Sequence, residues 1–321
     1  MNHRTVRRKP SSIEVAARHP VSRSIRAGDP TQTFVSQDRR SIVDHTGSSS
    51  MFRIPRMIET TSRRLDWRPA SGLLLYSSYN RGHKGGNWAM PVFGMNPDPV
   101  LRAKEDFPTL PHDQEVLTSY EIGEKATFWN GRGKLNSSIY YYKYHNYQVF
   151  SLRNAVQELF NRDARVSGGE TELTWTPTEG LLLQVGSAFM WTRTVYDVPL
   201  PTGPADRQMP LSPDLTVNLL ARYSWHLGHG RLAAQVNGRW TDSFYFYAAN
   251  EPVTRQGAYS TVDARLSYLT PDGHWEFAVW GKNLANTNYY NFRLDVGSLS
   301  YCGCGIAAPR TVGGTVSWRM N

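Results

Sequence analysis

Long apolar runs are missing from this sequence of 321 residues, and their absence sets the first limit on its fold. A membrane-spanning helix needs about 18 or more consecutive apolar residues, and no window of the chain approaches that length. Only helices and closed barrels satisfy the backbone in lipid. If the chain meets a membrane, it must therefore cross it as a closed sheet.

Cysteine is almost absent, with two residues, Cys302 and Cys304, separated by one glycine. A disulfide across a single residue would be strained, and two thiols do not complete a zinc site. We therefore expect a tight, glycine-rich loop with two unremarkable thiols, and a metal role is the weaker alternative. The nine histidines are scattered without metal-site spacing. No catalytic arrangement stands out, so we expect neither an enzyme nor a resident cofactor.

Acidic residues are outnumbered, 27 against 36 Lys and Arg, which gives a net charge of +9. Part of the excess lies near the start, where Arg4, Arg7 and Arg8 are typical of a signal peptide, but no apolar segment follows them. We predict that residues 1–59 form a basic, disordered segment. A nucleic-acid-binding arm is a weaker alternative, because interleaved aromatic residues for base stacking are missing. We expect no nucleic-acid partner.

Aromatic residues are abundant by contrast, at 12% of the chain with 17 Tyr and 10 Trp. From about residue 60 onward, apolar and polar residues alternate with period two, which indicates β-strands. The clearest examples are residues 170–175, 215–225, 232–241 and 261–269. One further segment, residues 135–147, is rich in tyrosine, and its alternation does not decide which side chains lie on which face of the sheet.

Three features favour a membrane barrel over a soluble sheet. Many of the strands run about ten residues or more, which is the length of a tilted spanning strand. Their polar faces carry charges of both signs, as in a water-filled or plugged lumen. Aromatic residues collect at strand ends, where interface girdles lie in such barrels; these are Trp191, Trp225, Trp240 and Trp275.

The turns alternate between short and long, which is the pattern of an outer-membrane barrel with its short turns in the periplasm. Short turns are predicted at residues 69–72, 130–133, 177–180 and 271–273, and long loops at residues 82–116, 153–161, 196–211, 248–257 and 291–309. We predict an all-β fold over residues 60–321, an antiparallel transmembrane β-barrel of about eleven strands. Its first strand, residues 60–68, runs inward, whereas a complete barrel starts in the periplasm with an even strand count. We therefore expect a partial barrel.

Five short motifs follow one another along the chain. They are LLYSSYNRGHKGG at residues 74–86, SYEIGEK at 119–125, ARVSGGETEL at 164–173, GKNLAN followed by Tyr289 and Tyr290 at 281–290, and APRTVG at 308–313. Together they resemble motifs of TonB-dependent outer-membrane receptors. The order and spacing resemble the C-terminal half of the receptor barrel. The resemblance runs from about residue 60 to the end of the chain.

The resemblance implies active uptake across the bacterial outer membrane, commonly of ferric siderophores or other metal chelates. It implies three partners: outer-membrane lipid, an iron-chelate ligand, and the TonB system, which acts through a plug domain inside the barrel. The first 60 residues show no plug-like sequence. Met320 also stands where the family usually ends on an aromatic residue, which bears on insertion into the membrane.

Ligand contacts are expected from the extracellular loops and the upper lumen. Cationic and aromatic side chains suit anionic, aromatic iron chelates. The candidates are Arg81, Lys84, Trp88, Tyr245, Tyr247, Tyr289 and Tyr290. The alternative is that the tyrosines belong to the outer interface girdle and that Lys84 is a solvated loop charge.

Two other functions stay open at this point. One is a truncated barrel remnant that transports nothing, since unpaired sheet edges are costly in lipid and prone to aggregation. The other is a soluble β-sandwich that binds carbohydrate, which predicts a dry interior between its sheets.

Overall fold

The computed structural model describes residues 60–88, 111–153, 156–196, 205–296 and 301–320. These residues are almost entirely β-structure, apart from one 3-10 turn at Pro252–Thr254. None of the described segments forms a helix with the length and apolarity of a membrane span.

Eleven long strands form one antiparallel sheet, in which each strand pairs with its neighbours along the chain. They are β1 (Thr61–Ala70), β2 (Leu73–Lys84), β3 (Glu115–Phe128), β4 (Gly133–Arg153), β5 (Val156–Trp175), β6 (Leu181–Tyr196), β7 (Leu215–Leu227), β8 (Gly230–Thr241), β9 (Tyr259–Leu269), β10 (Trp275–Lys282) and β11 (Thr311–Trp318). A short strand, Ala205–Arg207, adds to β6 as the twelfth member. Among the described residues the sheet is open, with β1 and β11 at its edges. The predicted partial barrel of about eleven strands is confirmed.

Short turns join every second pair of strands, as the sequence predicted. The turn between β5 and β6 shows why its glycine is needed: Gly180 has φ +78°, and a Cβ there would collide with the carbonyl oxygen of Ser224 on β7. The backbone N–H of Ser224 donates to the carbonyl of Gly180 at 2.9 Å, so the turn and the neighbouring strand are tied together. Only glycine fits both the left-handed conformation and this close approach.

The long connections contain more regular structure than the sequence predicted. The expected loop at residues 153–161 is mostly strand, because β4 and β5 extend as a long hairpin past the rest of the sheet. The expected loop at residues 291–309 contains a hairpin of Tyr290–Val296 with Tyr301–Ile306. The prediction of a tight loop around the cysteines was therefore wrong. In the backbone pairing of that hairpin Cys302 lies opposite Asp295, and Cys304, an exposed free thiol, lies opposite Arg293.

The alternation of side chains gives the sheet two chemically different faces. The apolar face carries exposed large residues along most of the long strands, among them Leu65, Ile122, Ile139, Val185, Leu219, Val236, Val262, Val279, Val312 and Val316. The polar face carries the residues between them, such as Glu121, Glu170, Asn218, Asn237 and Asp263. Aromatic pairs lie near the short turns on the apolar face, as in Trp275 with Trp318, whose ring centroids are 6.4 Å apart.

The ambiguous tyrosine segment is resolved by the register of β4. Tyr140 and Tyr142 fall on the polar face and stack at 4.7 Å, while Tyr141 falls on the apolar face. The register of β4 against β5 shifts between Tyr144 and Tyr147, so the alternation of the sequence is interrupted there. A bulge of this kind places two residues opposite one and breaks the period of two.

Within the described residues, the sheet encloses no dry core between two layers. The buried clusters within the described residues are small and lie near the ends of the strands that carry the long loops. One contains Val149, Ala248 and Ala249, and the other contains Ala164, Val166 and Met209. In both, the long loops supply residues that cover the ends of β4 and β5.

Candidate functional site: the polar face and its long loops

The polar faces of β2 to β9 surround one open pocket of about 830 Å³. Because one pocket touches so many strands of a single sheet, the sheet curves around it. The polar-face side chains that line it are Tyr76, Glu121, Lys125, Asn136, Ser138, Glu170, Glu172, Gln184, Asn218, Leu220, Arg239, Tyr259, Thr261 and Asp263, with Tyr289 from a long loop. The lining is predominantly polar and carries both charge signs.

The acidic side of this pocket is built by β3 and β5. Glu121 accepts a hydrogen bond of 2.6 Å from the hydroxyl of Tyr76 on β2. Glu170 and Glu172 lie two residues apart on β5 and therefore point to the same face. Carboxylates at this spacing can accept hydrogen bonds from several donors at once, which suits a polar surface that binds another polar surface or a hydrated ligand.

An aromatic pair lies where the pocket meets the long loop after β10. The rings of Tyr259 and Tyr289 are parallel within 8°, with centroids 4.2 Å apart. The loop is held by Asn283, whose buried side chain donates to the carbonyl of Thr287 at 3.0 Å and accepts from its N–H at 2.9 Å. Tyr289 was a predicted ligand residue, but its partner Tyr259 was missed, although it opens the clearest alternating strand of the sequence.

Tyr245 and Tyr247 lie in the loop between β8 and β9. The carbonyl of Tyr245 accepts a bond of 2.8 Å from the N–H of Leu211, which ties this loop to the one before β7. Tyr247 packs near Phe150 at the end of β4, with ring centroids 6.5 Å apart. Burial raises the pKa of Tyr247 above its ordinary value of 10.0, which extends the protonated, donating form of its hydroxyl further into alkaline pH.

Tyr290 has different surroundings from its neighbour Tyr289. Its backbone N–H donates to the side chain of Gln256 at 2.7 Å, and the guanidinium of Arg293 lies 4.5 Å from its ring centroid. The two tyrosines of the predicted pair therefore do not act as one aromatic surface. Tyr289 lines the pocket, and the ring of Tyr290 is already in contact with a cation.

The three candidates of the first long loop are also separated. Lys84 shares the polar face of β2 with Asn80 and lies opposite Glu115 in the register, whereas Arg81 falls on the other face with Tyr79. The backbone of Trp88 pairs with Pro111 in a short two-stranded sheet, and its side chain lies outside the described residues. In the part of the chain that the structure describes, no group of three His, Cys, Asp or Glu residues could hold a metal ion.

A family model for the β-barrel of TonB-dependent receptors matches residues 28–284. The chain belongs to the TonB-dependent receptor family. Receptors of this family are outer-membrane β-barrels, and the two-faced antiparallel sheet agrees with that architecture. The alternative of a soluble carbohydrate-binding sandwich is therefore wrong, because the family is one of barrels and the single sheet of this chain curves around a polar pocket.

Solved receptor structures share this fold. The ferric yersiniabactin uptake receptor FyuA from Yersinia pestis superimposes with a TM-score of 0.65 at 18% identity, over 81% of this chain and 37% of that receptor. BauA, the ferric preacinetobactin receptor from Acinetobacter baumannii, superimposes with a TM-score of 0.60 at 18% identity, over 83% of this chain and 38% of that receptor. The copper transporter OprC superimposes with a TM-score of 0.61 at 16% identity, over 81% of this chain and 39% of that transporter. The chain thus spans less than two-fifths of the length of each of these receptors.

Proposed function

We propose that this chain is the C-terminal part of the barrel of an outer-membrane receptor that takes up a ferric siderophore or a similar metal chelate. The observation that carries the proposal is the two-faced sheet, with a wet, charged pocket on one side and exposed apolar side chains on the other. Water and lipid on opposite sides of one sheet account for this separation. The similar receptors for yersiniabactin and preacinetobactin support the ligand class.

Within this proposal, residues 60–321 are the barrel portion and residues 1–59 are a basic segment ahead of it. The polar face would receive a plug domain, through which the TonB system energises uptake. Its carboxylates and amides can hydrogen-bond to the polar surface of a plug and leave a hydrated path beside it. The apolar face would contact the acyl chains of the outer membrane.

We assign the ligand contacts to the loop side of the polar face. Tyr289, stacked on Tyr259, offers an aromatic surface, and Lys84 offers a cation on the same face of the sheet. Tyr245, Tyr247, Tyr290 and Trp88 belong to the loops around this region and stay candidates. Arg81 is the weakest candidate, because it falls on the opposite face from Lys84.

The proposal is tested in two steps with the full chain refolded in detergent. Heat-modifiable migration on a gel supports a folded barrel, and recovery only as a water-soluble monomer would contradict the membrane assignment. Binding of a ferric tris-catecholate complex, followed by tryptophan fluorescence, then tests the ligand class. A folded preparation that binds no ferric chelate would support the alternative of a remnant without receptor function.

A further inference from the structure

A row of three cations crosses the apolar face at the end of the strands that carries the long loops. Lys143 on β4 lies directly opposite Arg165 on β5, and Arg165 lies directly opposite Arg193 on β6. All three side chains are exposed. Neighbouring strands are about 4.8 Å apart, so the backbones that carry the three charges lie within about 10 Å of one another. We call Lys143, Arg165 and Arg193 the cation row.

The cation row lies just beyond an aromatic row on the same face. Tyr141, Ser167 and Trp191 are paired across β4, β5 and β6, each two residues closer to the short turns than the cation on its strand. Two residues correspond to about 6.6 Å along a strand. Beyond them, in the same direction, Ile139 and Phe189 are exposed. The face therefore changes from apolar to aromatic to cationic within a few residues.

The height of the row matches the edge of a bilayer. Lys143 lies ten residues beyond Gly133, where β4 begins at its short turn. A barrel strand crosses the hydrocarbon core in about 9–11 residues, and aromatic side chains mark both edges. The cations consequently stand at the level of lipid headgroups on the long-loop side, not among the acyl chains.

The cation row has too few ion pairs with carboxylates to neutralise its charge. Arg193 pairs with Asp206 at 3.1 Å, and both side chains are more than half exposed. Among the described residues, neither Lys143 nor Arg165 forms an ion pair. Like charges directly opposite each other on a sheet are destabilising. Asp163, two residues from Arg165 on the same face, pairs with His145 instead. Among the described residues only Arg193 of the three cations forms an ion pair, so an external anion would stabilise the row.

A pocket next to the row gives that anion a place to bind. It has a volume of about 640 Å³, and its lining includes Arg165, Arg193 and Arg255 together with one carboxylate, Asp214. The aromatic residues Trp191 and Tyr245 also line it. Arginine guanidinium groups suit phosphate oxygens, because they donate two parallel hydrogen bonds. The flanking aromatic rings and the apolar residues toward the short turns offer a surface for acyl chains.

We propose that the cation row and this pocket bind the phosphate groups of an anionic membrane lipid on the outward face of the sheet. The inference rests on the proposed outer-membrane location. It is separate from ligand uptake at Lys84 and Tyr289, and in it Tyr245, which lines this pocket, contacts the lipid and not the chelate. A phosphorylated glycolipid is the occupant that fits: its phosphates would meet Lys143, Arg165 and Arg193, and its acyl chains would lie along Trp191 and Ile139. No covalent step is involved.

The test uses the full chain, refolded in a zwitterionic detergent and titrated with bisphosphorylated lipid A, with retained lipid counted by native mass spectrometry. The variant K143Q/R165Q/R193Q is expected to bind the lipid at least about tenfold more weakly, because each basic residue at a membrane surface adds to the attraction of anionic lipid. The matched control R68Q/R132Q/R231Q removes the same charge near the short turns and should bind like the wild type.

Two comparisons decide the chemistry of the ligand. The same lipid without its phosphates should bind at least about tenfold more weakly to the wild type, and millimolar inorganic phosphate should not displace the intact lipid, because it lacks acyl chains. Equal binding of the triple variant, equal binding of the phosphate-free lipid, or full displacement by inorganic phosphate would each overturn the inference.

The same preparation separates this inference from the proposed function. A chain that is heat-modifiable and binds the ferric chelate, but retains no phosphorylated lipid, overturns the lipid site alone. A chain that retains the lipid but binds no chelate overturns the ligand class alone. A wild-type chain that never becomes heat-modifiable contradicts both.

Discussion

The rings of Tyr259 and Tyr289 are stacked with their centroids 4.2 Å apart, and this contact joins strand β9 to the loop that follows strand β10. Tyr259 begins β9, and Tyr289 lies beyond β10. The stack places an aromatic surface at the pocket of the polar face, on the side of the long loops.

The first prediction concerns ligand binding at the stacked pair. Y289A should weaken binding of a ferric tris-catecholate complex by about three- to tenfold, since aromatic pairs contribute about 0.5–1.5 kcal/mol beyond the area they bury. Y289F keeps the ring and should bind like the wild type. Fluorescence titration of the refolded protein measures the affinity. Y223A is the matched control, because Tyr223 stacks on Trp225 but on the apolar face. Unchanged binding by Y289A would remove Tyr289 from the site.

The second prediction concerns the two faces of the sheet. Leu219 and Leu220 are consecutive on β7; Leu219 is 51% exposed on the apolar face, and Leu220 lines the pocket. L219R should destabilise the protein in lipid vesicles by about 2–4 kcal/mol, the cost of arginine at the lipid midplane, while L220R should change the free energy of unfolding much less. Urea titration in vesicles measures both. The reverse order of the two variants would contradict the assignment of the faces.

The third prediction concerns the carboxylate that ties the last strand to the sheet. Glu276 accepts from Arg265 at 3.0 Å and from Arg319 at 2.7 Å, and its side chain is only 20% exposed. E276Q removes the charge that both arginines share and should lower the free energy of unfolding by about 1–2 kcal/mol. E179Q, in an exposed turn, is the control and should have no measurable effect. If both variants unfold at the same urea concentration, the three-residue network does not contribute to stability.

The fourth prediction separates two reasons for glycine in turns. Gly180 and Gly228 both have positive φ, but a Cβ at Gly228 would meet no atom within 4 Å, whereas one at Gly180 would collide with the carbonyl of Ser224. G228A should therefore cost about 1 kcal/mol, the conformational penalty alone. G180A should cost clearly more, because the backbone of β7 must also move. Comparable urea midpoints for the two variants would show that the collision is relieved at no cost.

Residues 135–147 show where prediction from the sequence stopped. The strand itself followed from its residues, but the shift between Tyr144 and Tyr147 interrupts the alternation, so no single period assigns the faces. The hairpin that contains Cys302 and Cys304 was missed for another reason. Its strands are short and rich in glycine, and they pair with each other rather than with the main sheet, so no long alternating pattern marks them.

The sequence predicted which residues lie on the polar face of the candidate site better than it predicted the contacts among them. The polar-face residues, such as Glu170, Arg239 and Asp263, could be assigned to one face from alternation, and the structure places them around one pocket. The separation of Arg81 from Lys84 also follows from the register. The stack of Tyr259 on Tyr289 does not, because the conformation of the intervening loop depends on the hydrogen bonds of Asn283.

The sequence by itself determined most of the long strands and their faces, the order of short and long turns, and the family, because these depend on local alternation, turn residues and motif order. Only the tertiary structure decided which residues meet across strands. Lys143, Arg165 and Arg193 lie more than twenty residues apart along the chain, and nothing in their local sequence relates them. Antiparallel register places them side by side, since a shift of one residue would send each strand's side chains to the other face.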